Sequence, residues 1–203
     1  MGELDHLSLI NCILHDADFM SIMNFLHQGN QLQSLAIRNT SMDSFKPRLL
    51  ENYLKNHCKL RFLALERNFF EAGGLNNLLH SFSLNKTLLH FALRANIFHD
   101  KSNTNFLSLS LHNLRALVSL DLSNNKFGDS SVLSRALSHP STCPHLRYLC
   151  LDNSHVEDVF ELTLTLFNTS LNLYELSLNY LHLLVYGFTT IAECLKHGRN
   201  PNL

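Results

Sequence analysis

The stretch LVSLDLSNNKF, residues 117–127, has the spacing of a half-buried strand that ends in a tight turn. Leu120 and Leu122 are two residues apart, which places them on one face of a strand, and Leu117 precedes them by three residues. Asn125 follows the last leucine, Leu122, by three residues, and Phe127 comes two residues later. An isolated strand has no need of such an asparagine, so its recurrence elsewhere would indicate a repeat architecture.

The pattern L-x-x-L-x-L-x-x-N-x-L, with substitutions, recurs along the whole chain. Successive first leucines lie 27 to 29 residues apart, at Leu4, Leu32, Leu60, Leu88, Leu117, Leu146 and Leu173. Leu203 stands at the first position of an eighth unit. A fixed period of this length is typical of stacked strand-and-helix repeats.

The second half of each unit has helical spacing, with apolar residues at i, i+3 or i+4, and i+7. The clearest examples are Leu75, Leu78, Leu79 and Phe82 in the third unit, Val159, Leu162 and Leu166 in the sixth, and Phe188, Ile191 and Leu195 in the seventh. The fourth unit is ambiguous, because residues 107–114 fit either a strand or a helix, and its context favours the helix. Each unit is therefore predicted to contain one strand and one helix.

Seven such units predict an α/β leucine-rich-repeat solenoid, a horseshoe with a parallel sheet on its concave face and helices on its convex face. Strands pack about 4.8 Å apart while helices need roughly 10 Å, so the sheet takes the inside of the curve. We expect a single domain over residues 1–203. In each strand the first, fourth and sixth pattern positions are predicted to face the core, and the third, fifth and seventh to face solvent.

The asparagines can supply the hydrogen bonds that the turn after each strand requires. This turn leaves backbone donors and acceptors inside the stack, and an unpaired buried group costs ~1–3 kcal/mol. An amide side chain can bridge successive turns, because it both donates and accepts hydrogen bonds. The ninth position holds Cys12, Thr40, Asn68, Asn96, Asn125, Ser154 and Leu181. Leu181 cannot form hydrogen bonds, so we expect the seventh repeat to turn differently.

The period, the leucine core and the single helix per repeat resemble the ribonuclease-inhibitor-type leucine-rich repeats. Residues 124–153 and 191–203 are similar to linkers in the leucine-rich repeats of NLR innate-immune receptors. The resemblance implies the recognition region of an NLR-like sensor, or a leucine-rich-repeat effector secreted by intracellular bacteria. Ran GTPase-activating proteins carry similar repeats and supply an alternative function. The low glycine count, 7, departs from the vertebrate pattern and leaves a bacterial or protist origin open.

Composition excludes several classes of partner. The formal net charge is −1 and the pI is about 6.9, which argues against binding to nucleic acid or to an anionic membrane. The least charged stretch, residues 176–192, is interrupted by polar residues and predicts no membrane span. Five cysteines at scattered positions favour reduced thiols and a cytoplasmic location, which would be the host cytosol for a secreted effector.

The sequence contains none of the phosphate-loop, nucleophile-elbow or zinc-helix motifs that would indicate an enzyme. Three possible metal ligands, His139, Cys143 and His145, lie close together, but no fourth ligand accompanies them. A surface loop is the better interpretation of this segment. We therefore expect no catalytic activity, no cofactor and no metal.

The concave face remains as the candidate site for a protein ligand. It is predicted to display two clusters of aromatic and charged residues: Arg38, Phe62, Glu66 and Arg94 in the N-terminal half, and Tyr148, Asp152, Tyr174 and Glu175 in the C-terminal half. Exposed aromatic residues and arginines commonly become interface anchors. A structural spacer without a partner is the plain alternative, and a GTPase activator would use a rim arginine, with Arg38, Arg67 and Arg94 as candidates.

Both ends of the repeat array lack a polar capping unit. Solenoids need such caps, because a terminal repeat otherwise leaves its apolar flank in water. From the sequence we expect a fragment of a longer protein, or a chain that self-associates through its uncapped ends.

Overall fold

The computed structural model describes residues 4–29, 31–43, 45–56, 59–70, 73–82, 85–98, 101–127, 130–139, 141–156, 159–168, 172–181 and 185–196. These residues form an α/β fold in which strands and helices alternate along the chain. The order is β1 (His6–Ile10), α1 (Asp16–Gly29), β2 (Ser34–Arg38), α2 (Lys46–Asn56), β3 (Phe62–Glu66), α3 (Gly74–Ser81), β4 (His90–Ala92), β5 (Ile97–Phe98), α4 (Lys101–Asn113), β6 (Ser119–Asp121), β7 (Lys126–Phe127), α5 (Ser130–Ser138), β8 (Tyr148–Cys150), α6 (Val159–Asn168), β9 (Glu175–Ser177) and α7 (Val185–Lys196).

The main sheet is parallel throughout the described residues, in the order β1-β2-β3-β4-β6-β8-β9. Its register follows the sequence repeat, because Ser34 lies opposite Phe62 and Phe62 lies opposite His90. Equivalent pattern positions therefore form rows that cross the sheet. A second, two-stranded parallel sheet joins β5 to β7 just beyond the turns. The curvature that would bend these units into a horseshoe stays a prediction.

The helices and the leucines of the strands share one continuous apolar core. Leu63 and Leu65 of β3 and Leu78 and Leu79 of α3 are all fully buried in it. Because strand residues alternate between the two faces of a sheet, the helices cover one face and leave the other, the outer face, to solvent. This segregation makes the outer face the place to look for a binding site.

The predicted helices are confirmed, including the ambiguous one in the fourth repeat, where Leu107 and Leu111 of α4 are buried. The core-facing side predicted for the seventh helix is wrong. In α7 the side chains of Phe188 and Leu195 are 61% and 50% exposed, while Thr190 is buried. Among the described elements α7 packs against α6 on one side only, so its apolar residues lack a second neighbour to bury them.

The prediction that every fifth strand position faces solvent is also wrong on β2 and β3. Ala36 and Ala64 are buried, although they belong to the row of the outer face. An alanine methyl group barely rises above the backbone, and the longer side chains at the third and seventh positions surround it. The small residues of this row are therefore recessed between larger neighbouring side chains.

The asparagine ladder is confirmed by the hydrogen bonds of three successive turns. The backbone N–H of Thr40 donates to Asn68 Oδ1 at 3.0 Å, and that of Asn68 donates to Asn96 Oδ1 at 3.1 Å. The N–H of Asn96 in turn donates to Asn125 Oδ1 at 2.7 Å. All three asparagines are buried, so these bonds satisfy donors that water cannot reach.

The amide nitrogens complete the ladder by donating to strand carbonyls. Asn96 Nδ2 donates to the carbonyl of Leu65 in the preceding repeat and to that of Leu93 in its own repeat. In the sixth repeat a hydroxyl takes over this task, because Ser154 Oγ donates to the Leu122 carbonyl at 3.0 Å. The ladder thus tolerates substitution wherever the replacement can still donate a hydrogen bond.

The turn has a left-handed residue at the same position in every repeat. The eighth pattern position has a positive φ each time, at Asn11, Asn39, Arg67, Ala95, Asn124, Asn153 and Tyr180. The expectation that the seventh repeat turns differently is therefore wrong. Tyr180 has a φ of 58°, and the N–H of Leu181 bonds to the carbonyl of Leu178 in place of a ladder partner.

Within the described part of the chain, no helix has the length and apolar character needed to cross a membrane. Cys12, Cys143 and Cys150 are free thiols. The side chains of Cys58 and Cys194 lie outside the described residues.

Candidate functional site

The outer face of the sheet is lined by side chains from the third, fifth and seventh positions of each strand. Along one strand these positions are roughly 6.6 Å apart, and neighbouring strands are separated by about 4.8 Å. Aligned register therefore brings residues of successive repeats into direct contact across the face. The two clusters predicted from the sequence both lie in these rows or at their margin.

In the N-terminal cluster two predicted binding residues are already paired with each other. Arg38 Nε donates to Glu66 Oε1 at 2.8 Å across the β2–β3 pair, and the two side chains are only 32% and 22% exposed. Arg38 is thus partly neutralised by Glu66, and its role in binding a partner stays a prediction. Both residues occupy the seventh position of adjacent repeats, so the period itself could have predicted this pair. Arg94, one repeat further, is exposed.

Phe62 is half-buried, whereas the sequence predicted an exposed ring. It lies opposite His90 in the register, and the two ring centroids are 6.3 Å apart. The neighbouring ring shields part of the Phe62 side chain from solvent. The aromatic surface of this cluster therefore consists of two adjacent rings instead of one isolated anchor.

The C-terminal cluster presents more aromatic surface. Tyr148 and Tyr174 are 43% and 56% exposed, and Glu175 lies opposite Tyr148 in the β8–β9 pair. The guanidinium carbon of Arg147 is 5.6 Å from the centre of the Tyr174 ring. This cation–π contact orients the ring at the margin of the face. Tyr148 and Glu175 are thus exposed neighbours on the outer face, and Tyr174 is exposed immediately before β9; their role as a binding patch stays a prediction.

Asp152 links the sixth and seventh repeats through hydrogen bonds. Its Oδ1 accepts hydrogen bonds from Ser177 Oγ at 2.7 Å and from the Asn179 N–H at 2.8 Å, and its Oδ2 accepts one from Asn179 Nδ2 at 3.1 Å. Burial alone would raise the pKa of Asp152, but these hydrogen bonds outweigh it and lower the pKa below its usual value. Most of its acceptor capacity is used internally.

Cys150 lies on the outer face between two carboxylates. It is the register partner of Asp121, and it is two residues from Asp152. Burial and the negative charges of these aspartates raise the pKa of its thiol. At neutral pH the side chain is therefore a thiol, a weak nucleophile.

A cavity of about 610 Å³, which the sequence did not predict, opens beside the first two turns. Its lining includes Ile13, Asn39, Asp16, Asp43 and Lys46. Ile13 is almost fully exposed at its rim, whereas the Lys46 side chain is nearly buried.

Lys46 holds the two aspartates of the cavity together. Its Nζ lies 2.5 Å from Asp43 Oδ1 and 3.6 Å from Asp16 Oδ1. The bond from Lys46 is the main reason why the pKa of Asp43 is lowered. The i,i+3 spacing of Asp43 and Lys46 was a usable sequence signal, but the contribution of Asp16 from the preceding repeat requires the folded stack. The charges of the cavity are largely satisfied among themselves.

The segment with three possible metal ligands does not bring them together. Cys143 is fully buried, and its thiol donates to the Leu111 carbonyl of α4 at 3.2 Å. Burial raises its pKa to about 12. His139 Nδ1 is engaged by the Ser141 hydroxyl at 2.8 Å. Cys143 is thus a core residue that anchors the loop to α4.

No family model and no curated protein sequence matches the chain. Solved structures with a similar fold include Leiomodin-1 Actin-Binding Site 2, with a TM-score of 0.58 and 16% sequence identity, over 78% of this chain and 90% of that one. They also include the C-terminal domain of tropomodulin from Caenorhabditis elegans, with a TM-score of 0.50 and 14% identity, over 91% of this chain and 93% of that one. Similarity at such low identity concerns the fold.

These structures overturn the resemblance drawn from the sequence. The similar folds are a leiomodin and a tropomodulin domain, so the assignment to ribonuclease-inhibitor-type repeats of NLR receptors, or to a bacterial effector, is wrong. The GTPase-activator alternative gains no support from them either. The physical reason is that any stacked strand-and-helix unit requires this leucine spacing in order to bury its core. Different families can meet that need with the same pattern.

Proposed function

We propose that residues 1–203 form a single leucine-rich-repeat domain that binds a protein ligand through the outer face of its sheet. In this proposal the seven repeats curve into a horseshoe, and the outer face is its concave side. The chain acts as a binding module of the cytoplasm, without catalysis and without a cofactor. Three reduced cysteines among the described residues agree with that location.

The observation that carries the proposal is the exposure of Tyr148 and Glu175 on two adjacent strands, with the exposed Tyr174 immediately before β9. A tyrosine offers a large apolar surface and a hydroxyl group at low conformational cost, and such residues dominate the energy of many interfaces. β8, which carries Tyr148, is held by the buried Leu149 and Leu151, and the hydrogen bonds of Asp152 tie it to the seventh repeat. These contacts order the base of Tyr148 before a partner arrives, which reduces the entropy lost on binding.

The eight predicted site residues divide into two roles. Tyr148, Tyr174, Glu175 and Arg94 are exposed and are the proposed contacts with the ligand. The others, Arg38, Glu66, Asp152 and Phe62, support the surface through the contacts described above.

Affinity capture from cell extract with paired variants tests the proposal. Wild-type chain should retain a ligand that the double variant Tyr148→Ala/Tyr174→Ala loses by more than about tenfold, because two anchors are removed. Phe188→Ala is the matched control, since this ring is equally exposed but lies on α7, away from the sheet. Loss of the ligand in the control alone would place binding on the helices and contradict the proposal.

Actin is the first protein to test, because a similar fold provides an actin-binding site in Leiomodin-1. Co-sedimentation with filamentous actin, using the same three proteins, gives a direct answer. Binding that depends on the two tyrosines would name actin as the ligand of the outer face. Binding unaffected by the tyrosines would assign actin to another surface.

A further inference from the structure

The charged residues on the outer face and at the two ends of its strands are divided between the two halves of the sheet. The strand segments from the second to the eighth pattern position contain four arginines and two carboxylates in the first four repeats: Arg38, Arg61, Arg67, Arg94, Asp5 and Glu66. The same segments contain three carboxylates and one arginine in the last three repeats: Asp121, Asp152, Glu175 and Arg147. The chain as a whole has a net charge of −1, so this division is local and does not reflect an overall excess.

In the basic half three arginines remain available to a ligand. Arg38 and Glu66 neutralise each other, but Arg61, Arg67 and Arg94 are all exposed. Within the described part of the chain none of these three makes an ion pair. Arg94 is at an outer-face position after β4, while Arg61 and Arg67 lie immediately before and after β3.

In the acidic half the one arginine is held against an aromatic ring. Arg147 is stacked over Tyr174, at the edge where the strands begin. Glu175 is exposed beside it, and Asp121 and Asp152 flank Cys150 in the middle of the face. Burial, together with these two negative charges, raises the pKa of the Cys150 thiol.

The two halves adjoin where Asp121 of β6 lies opposite Ala92 of β4, but the acidic end at β9 is well separated from β4. Three strand intervals separate β4, which ends just before Arg94, from β9, which begins at Glu175, a span of roughly 14 Å. This span exceeds the Debye length of about 8 Å at physiological ionic strength. A ligand therefore meets a basic field at one end and an acidic field at the other.

We infer that the ligand of the outer face is a protein surface with the opposite order of charges, with carboxylates over β3 and β4 and basic side chains over β6, β8 and β9. This inference rests on the proposed function and specifies the chemistry and orientation of the partner. Nucleic acid carries one sign of charge along its length, so the acidic half would repel it. Complementary charges speed association and reject partners docked in the reverse orientation.

Two synthetic peptides of equal length, one of arginine and leucine and one of glutamate and leucine, test the inference without an identified partner. In ¹⁵N-labelled chain, the basic peptide should shift the amide signals of Tyr148–Cys150 and Glu175–Ser177. The acidic peptide should shift those of Phe62–Glu66 and His90–Ala92. Raised salt should weaken both effects, since exposed charges are screened.

Charge reversal supplies matched controls. Glu175→Lys should lower the affinity for the basic peptide roughly fivefold. Glu193→Lys, the same change on α7, should leave that affinity unchanged. Arg94→Glu should lower the affinity for the acidic peptide by a similar factor, with Arg48→Glu on α2 as its control.

The outcomes separate the inference from the proposed function. If both peptides shift the same half of the sheet, or if neither shifts any amide, the inference is overturned. Shifts on the outer face that ignore both charge reversals would overturn the inference alone and leave the face as a binding surface. Shifts confined to the helices would overturn the proposed function as well.

Discussion

The fourth and seventh repeats share a backbone turn but differ in how that turn is held. In the fourth repeat Asn96 is buried and bonds to both neighbouring repeats. In the seventh repeat Leu181 occupies the same position, is only partly buried, and its N–H bonds within its own repeat at 3.4 Å. Left-handed φ values at Ala95 and Tyr180 show that the chain path is nevertheless the same.

This difference indicates that the strand-to-helix geometry sets the shape of the turn, while the ladder supplies stability. Strand leucines follow the same trend, since Leu93 is fully buried and its equivalent, Leu178, is only partly buried. The middle of the sheet should therefore be more resistant to local unfolding than its C-terminal end. The exposed tyrosine patch lies at the less protected end.

The largest contrast should come from truncating equivalent core leucines. Leu93→Ala should lower the free energy of unfolding by about 3 kcal/mol, because it leaves a cavity in a fully packed layer. Leu178→Ala should cost only about 1 kcal/mol, because its surroundings are partly solvated and can relax. Chemical denaturation of both variants measures the difference. Equal losses would show that the two repeats are packed equally well.

The ladder should show the next largest contrast. Asn96→Leu should destabilise the protein by about 2–3 kcal/mol, because the Asn68 N–H and two strand carbonyls lose their partner inside the stack. Leu181→Ala should cost about 1 kcal/mol and behave as a loss of apolar packing. Denaturant midpoints at constant slope test this pair. An unchanged midpoint for the asparagine variant would rule out a stabilising ladder.

Acid should loosen the seventh repeat before the middle ones. The pKa of Asp152 is lower in the folded chain than its usual value of 3.8, so its stabilising effect is complete above pH 3.8. That effect is lost as the pH falls below 3.8 and through the lowered folded-state pKa. Amide exchange of Ser177 and Asn179 between neutral pH and acid should reveal this loss.

Asp152→Asn supplies the control for the acid experiment, because an amide cannot ionise. In this variant the seventh repeat should be loosened already at neutral pH and should show less further change in acid. A wild-type seventh repeat that stays as protected in acid as the fourth would contradict the bracing role of Asp152.

The smallest effect concerns the shared turn. A left-handed conformation costs a non-glycine residue roughly 1 kcal/mol, and glycine adopts it freely. After the greater entropy of an unfolded glycine is subtracted, Ala95→Gly should stabilise the chain by about 0.5 kcal/mol. Tyr180→Gly should give a similar gain if the turns are alike. Thermal unfolding of the two variants compares them, and a loss at either site would show that its turn differs from the structure.

Much of this fold follows from the sequence, because the repeat period can be read directly from the spacing of the leucines. Leucine spacing fixes which residues enter the core, and the constant interval fixes the parallel register, so Asn68, Asn96 and Asn125 could be assigned to one ladder. The burial of Ala64 could not be read from alternation, because it depends on the size of neighbouring side chains. Exposure of Phe188 was missed for a related reason, since helical spacing describes a face and not whether a neighbour covers it.

The candidate site was predicted less completely than the fold. Residue type identified the exposed Tyr148 and Tyr174, but it could not show that Arg38 is already neutralised by Glu66. The cavity around Lys46 escaped prediction because its walls come from two repeats. Recognition of the family failed most clearly, since a pattern imposed by packing carries little information about descent.

Native-state hydrogen exchange tests the central claim that the asparagine ladder holds the middle of the sheet. The amides of Thr40, Asn68 and Asn96 each donate to an asparagine of the following repeat, whereas that of Leu181 does not. The three ladder amides should exchange at least about a hundredfold more slowly than the Leu181 amide, a difference of roughly 3 kcal/mol in opening free energy. Exchange of all four amides at one common rate would contradict the claim.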